Sequence, residues 1–93
     1  MPRGGKSLPS NNGQWVTITF NHYIEELNNY QIVAYLENES DRMFYISHTL
    51  AGKDRDEGVE TVFVERPMFI NKDFVVLVEP LLRQPVEGEI EEW

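Results

Sequence analysis

Two histidines and a large excess of carboxylates are the side chains of this 93-residue chain that could do chemistry. His22 and His48, with Glu25, Glu26, Asp54, Asp56 and Glu57, carry the imidazole and carboxylate donors that a divalent cation takes. Ser47 stands directly before His48, a nucleophile type beside a base type. On a regular strand, neighbours point to opposite faces, so these two are not expected to hydrogen-bond. The adjacent acids Glu25 and Glu26, or Glu91 and Glu92, fall in turn or tail sequence, where nothing desolvates one of them into a general acid. "DRDEG" matches part of a calcium loop, but a bidentate acid is needed six residues after the glycine, and Val64 stands there. "RGGK" lacks the spacing and the following Ser or Thr of a phosphate loop. "NES" at 38–40 fits a glycosylation sequon but has no secretory signal to give it meaning. With no cysteine in the chain, disulfides, thiolate metal sites and a thiol nucleophile are also excluded. The reading is of a protein that is not an enzyme, with no cofactor and no metal site.

Where those side chains stand depends on the elements that carry them. "WVTITF" alternates Val16, Ile18 and Phe20 with Trp15, Thr17 and Thr19, the period of a strand. For "NHYIEELNNY" two readings compete. Asn21 could cap a short helix bearing Tyr23, Leu27 and Tyr30, or the strand could continue through His22 and Ile24 into a turn at "ELNN"; asparagine's preference for turns favours the hairpin. "YQIVAYLE" puts Ile32, Ala34 and Leu36 on one face and Val33 and Tyr35 on the other. After the turn "NESD", "RMFYISHTL" alternates Phe44, Ile46, His48 and Leu50 with Met43, Tyr45, Ser47 and Thr49. "AGKDRDEG" reads as a charged loop, followed by the strands "VETVFVER" and, beyond Pro67 and the turn "NKD", "FVVLVE". The class predicted is all-β, a small antiparallel meander of about five strands forming a barrel or sandwich. SH3-like, OB-like and immunoglobulin-like variants share this pattern.

One domain is all that 93 residues support. The divisions expected are a flexible arm over 1–14, rich in Gly, Pro, Ser and Asn, a β-domain over 15–80, and an acidic segment over 81–93. Pro80 and Pro85 should uncouple that last segment from the sheet, though Leu81 and Leu82 are able to fold back. No apolar run approaches membrane-helix length, so a cytoplasmic protein that engages no membrane is expected. Sixteen acidic against eight basic residues give a net charge of −8, which favours basic partners and disfavours general binding to nucleic acid. In a meander, the turn at Glu25 and Glu26 and the loop with Asp54, Asp56 and Glu57 lie at the same end, so one acidic rim is predicted, approached by both histidines.

The outward row of the first strands, Trp15, Tyr23, Tyr35 and Tyr45, forms either a half-buried face with cross-strand aromatic pairs or a docking surface. The chain closes on "EGEIEEW", where Ile90 and Trp93 interrupt four glutamates. This stretch resembles the acidic tails with a terminal aromatic of bacterial and phage single-stranded-DNA-binding proteins, and the resemblance, which covers seven residues, implies a tail that recruits a partner. Trp93 is then a clip onto its own domain or an anchor in another protein's pocket. The function expected is a non-catalytic protein-interaction module, an inhibitor, adaptor or small subunit of a larger assembly such as a virion, with Trp15, Tyr23, Tyr35, Tyr45, Ile90 and Trp93 meeting a partner that has a basic or aromatic-accepting surface. The alternatives are a single-stranded nucleic-acid binder and an acidic mimic of nucleic acid.

Overall fold

The computed structural model describes residues 8–92. They contain no α-helix: strands β1 (Gln14–Ile24), β2 (Asn29–Glu39), β3 (Met43–Arg55), β4 (Gly58–Asn71), β5 (Val75–Pro80) and β6 (Ile90–Glu92) form one antiparallel sheet in the order β5-β1-β2-β3-β4-β6. The all-β class is as expected, and β1 to β4 are the meander. Two features differ from expectation. β5 does not extend the meander but returns to β1, with Val16 opposite Pro80 and Ile18 opposite Val78, and the sheet does not close into a barrel, because its outer strands β5 and β6 do not pair.

At 21–29 the hairpin is realised. β1 runs to Ile24, one 3-10 turn spans Glu25–Leu27, and Asn28 takes the left-handed conformation that lets the chain reverse. "AGKDRDEG" is not a loop. β3 and β4 carry the pairing out to Arg55 opposite Gly58, leaving only Asp56 and Glu57 in the turn. The charge of this stretch marks solvent exposure: residues 51–55 are exposed although they are paired in the sheet.

Pro67 does not end β4 either. Ile46 pairs with Met68 and His48 with Glu65, so Arg66 and Pro67 together stand against Ser47, a bulge in which proline's missing N–H is tolerated. On the other side of β3, Tyr35 pairs with His48 and Leu36 with Ile46, again skipping Ser47. The slip inverts the alternation of β3. Phe44 and Ile46 face one core, whereas Leu50, expected on their row, faces the other.

There are accordingly two apolar clusters. The larger unites Val16, Ile18, Phe20, Ala34, Ile46 and Ile70, with Ile24 and Leu27 of the β1–β2 tip and Val75 and Val78 of β5 packed on it. Ile18, Ile46 and Val16 are its largest fully buried side chains, each worth about 1.5–3 kcal/mol. The second cluster joins Trp15, Tyr35 and Phe63 with Val33, Leu50 and Leu81. A strap covers it: from the end of β5 the chain passes Leu81, whose N–H donates to Trp15 O (3.2 Å), and reaches β4, where Gly88 N donates to Thr61 O (2.8 Å) and Thr61 N to Glu89 O (2.9 Å). Beyond this strap β6 pairs with Gly58–Glu60. Pro80 and Pro85 therefore do not separate residues 81–92 from the sheet. Leu81 folds back, and Leu82 is wholly exposed.

Candidate functional site

The predicted docking row does not survive as one surface. Trp15 and Tyr35 are 4% and 3% exposed, because the strap and residues 8–13 lie over them. The Trp15 ring meets Tyr35 edge-on at 5.4 Å and Phe63 at 4.8 Å. The Tyr35 hydroxyl donates to Ser10 O and accepts from Gly13 N (3.0 Å), and Ser10 Oγ donates to Glu37 Oε1 (2.7 Å). The described part of the expected arm is thus fastened to the sheet by a tyrosine of the outward row. Tyr23 is exposed at the far end of β1, its ring edge-on to Tyr30 at 5.3 Å and its hydroxyl on Asn28 Oδ1. Ile90 is half-buried in β6, opposite Glu60. Trp93 and the basic residues Arg3 and Lys6 lie outside the described residues.

Tyr45 belongs to a second open aromatic pair, whose other member the sequence reading did not single out. Phe69, directly across from Tyr45 in β4, is 71% exposed, and the two rings lie 5.0 Å apart. Met43 stands beside them, and with Asn38, Glu39 and Ser40 they enclose a shallow hollow of about 110 Å³. Register explains the exposure. Met43 and Tyr45 are on the face that the strap covers elsewhere, but the strap crosses at Trp15 and Phe63, on the other side of the Ser47 bulge. The sequence signal was Pro67: a proline inside a strand pattern marks a bulge, which resets the faces of everything after it.

Ser47 and His48 require a correction. Contrary to the expectation for a regular strand, Ser47 Oγ shares a 2.8 Å hydrogen bond with His48 Nδ1 where the ladder is irregular. The pair nevertheless sits at 9% and 3% exposure, which leaves a substrate carbonyl no approach to the hydroxyl. Its evident work is to satisfy polar groups where the ladder skips a residue. His22, expected on the inward row, is exposed, its ring 5.0 Å from Phe74 and its Nδ1 hydrogen-bonded to Asn21 Oδ1. The histidines therefore occupy different surroundings, and no three of the described His, Asp and Glu residues gather as a metal site.

The acidic rim divides. The β1–β2 tip bends over the larger core, where Arg66 Nη2, in the β4 bulge, donates to Glu26 O (2.8 Å). Glu57 and Asp56 lie nine and ten residues before Arg66, in the turn that precedes β4, about 30 Å away at about 3.3 Å per residue. What joins Asp54, Asp56 and Glu57 is instead β6, which sets Glu92 opposite Gly58 and Glu91 opposite Val59. Arg55, paired with Glu60, offsets part of this charge.

No family model, curated protein or solved structure matches the chain. Among the described residues no helix is long and apolar enough to cross a membrane.

Proposed function

We propose that this protein is a non-catalytic protein-binding module that docks its partner on the ledge formed by Met43, Tyr45 and Phe69. The observation that carries the reading is Phe69: a large aromatic 71% exposed on a sheet face, packed against a second ring and rimmed by polar side chains. An exposed Phe and Met beside a half-buried Tyr form the composition typical of an interface centre, and the hollow they line has room for one partner side chain. Expected partners insert an apolar or aromatic side chain there and carry basic residues around it, in keeping with the net charge of −8. Capture from source lysate on immobilised protein tests this. A partner retained by the native chain should be lost from Phe69→Ser and kept by Leu82→Ser, a control on a still more exposed apolar residue. Equal retention by both variants contradicts the proposal.

A second reading rests on β6. Laying Glu91 and Glu92 beside Asp54, Asp56 and Glu57 concentrates like charge at one end of the molecule, as an acidic mimic of a phosphate backbone would. In that case the captured protein is itself a nucleic-acid binder, and Asp56→Lys with Glu57→Lys abolishes capture while Phe69→Ser does not. Stacking of single-stranded bases has less support, because Trp15 and Tyr35 are enclosed.

A further inference from the structure

β2 and β3 are hydrogen-bonded neighbours only from Glu39 opposite Phe44 to Ala34 opposite Thr49. Beyond that point each strand keeps only its outer partner. β2 continues through Val33, Ile32 and Gln31 on β1, and β3 runs from Leu50 to Arg55 on β4. The sheet forks, and the two arms turn strand edges toward each other across a cleft of about 450 Å³. Its walls carry Ile32 and Val33 from one arm and Leu50 and Val64 from the other. Arg66 lines it too, with one N–H committed to the Glu26 carbonyl and no carboxylate on it among the described residues. Asn29 Oδ1 accepts from Tyr30 N and Gln31 N, which satisfies part of the β2 arm internally. The edge from Leu50 to Arg55 has no such cap among the described residues.

From this geometry we infer that the fork is a peptide-binding site: an extended segment of a partner protein adds as a strand along Leu50–Arg55, sets alternate apolar side chains between Val33 and Leu50, and places a carboxylate on Arg66. Backbone pairing supplies affinity to an exposed edge, and the side chains of alternate residues supply selectivity. The charge of the ligand follows from Arg66, whose planar donor fork matches a carboxylate in two-point contact. The cleft's volume falls within the ordinary range of ligand sites. The inference shares with the proposed function the premise of a protein partner, but it uses a surface separate from Phe69.

Selection of a random decapeptide phage library on the folded protein tests it. Enriched peptides should alternate apolar residues around one Asp or Glu. Their synthetic forms should lose affinity by about tenfold or more against Arg66→Glu or against Ala51→Phe, which puts a ring into the cleft. Phe69→Ser should leave their affinity unchanged, so failure of the ledge and failure of the fork are distinguishable. Amide resonances of residues 31–33 and 50–55 should shift on titration. No enrichment, peptides without an acidic residue, or binding indifferent to both cleft variants overturns the inference, provided that each variant keeps the native amide spectrum.

Discussion

Gly58→Ala isolates the attachment of β6. Gly58 has φ +150°, and a Cβ there would meet Glu91 O at 2.0 Å and Glu91 C at 2.8 Å. The obstacle is backbone, so no side-chain rotation relieves it, and β6 must leave. What leaves with it is the pairing of Gly58–Glu60 with Ile90–Glu92 and part of the burial of Ile90. At about 1 kcal/mol net per backbone hydrogen bond, a similar contribution from the half-buried isoleucine, and about 1–2 kcal/mol of strain that a side chain meets at this positive φ, the loss comes to about 3–6 kcal/mol. Gly88→Ala is the matched comparison. Gly88 also has positive φ (+85°), but nothing lies within 4 Å of the added atom, so only left-handed strain of about 1–2 kcal/mol applies and β6 stays. Denaturant titration gives the two stabilities, and hydrogen exchange separates the mechanisms. Amides of Val59 to Thr61 should lose protection in Gly58→Ala and keep it in Gly88→Ala. A Gly58→Ala protein within about 0.5 kcal/mol of the native chain, with those amides still protected, refutes the docking of β6 on β4.

Other consequences are equally concrete. Tyr35→Phe removes the hydroxyl that holds Ser10 and Gly13, and should cost about 1–2 kcal/mol with faster proteolysis within residues 8–13 and an unaltered sheet. Ser47→Ala removes the hydroxyl that hydrogen-bonds His48 Nδ1 in the bulge and should cost about 1–2 kcal/mol by chemical denaturation. Sodium chloride should stabilise the protein, because screening relieves repulsion among Asp54, Asp56, Glu57, Glu91 and Glu92. Asp56→Asn should raise stability by a few tenths of a kcal/mol and flatten that salt dependence, both read from Tm.

The sequence was most informative where one face is continuously apolar. Val16, Ile18 and Phe20, and then Ile32, Ala34 and Leu36, alternate without a competing period, and both runs lie where the pattern puts them. Over residues 43–50 it was less informative for a physical reason. Both rows contain large apolar residues, so a one-residue slip at Ser47 leaves the alternation outwardly intact while it exchanges the faces of His48 and Leu50. The burial of Trp15 and Tyr35 depends on a strap from a segment whose prolines suggested detachment. Proline removes a donor, but this strap is held by Leu81 N, Gly88 N and the carbonyl of Glu89, none of which proline affects. Meander topology puts the β1–β2 tip and the β3–β4 turn at the same end, but the single acidic rim expected there is not formed, because topology does not encode how far two hairpins diverge once their shared pairing ends. Phe69 escaped notice because its exposure is set by β3 across the ladder and by a bulge that only Pro67 announced.

The most direct test of the account is the affinity of a captured partner for the native chain and for Phe69→Ser, measured by calorimetry beside Leu82→Ser. The account predicts a loss of about 2 kcal/mol or more in binding for Phe69→Ser, unchanged folding stability, and no loss for Leu82→Ser. Undiminished affinity of the Phe69→Ser protein contradicts it.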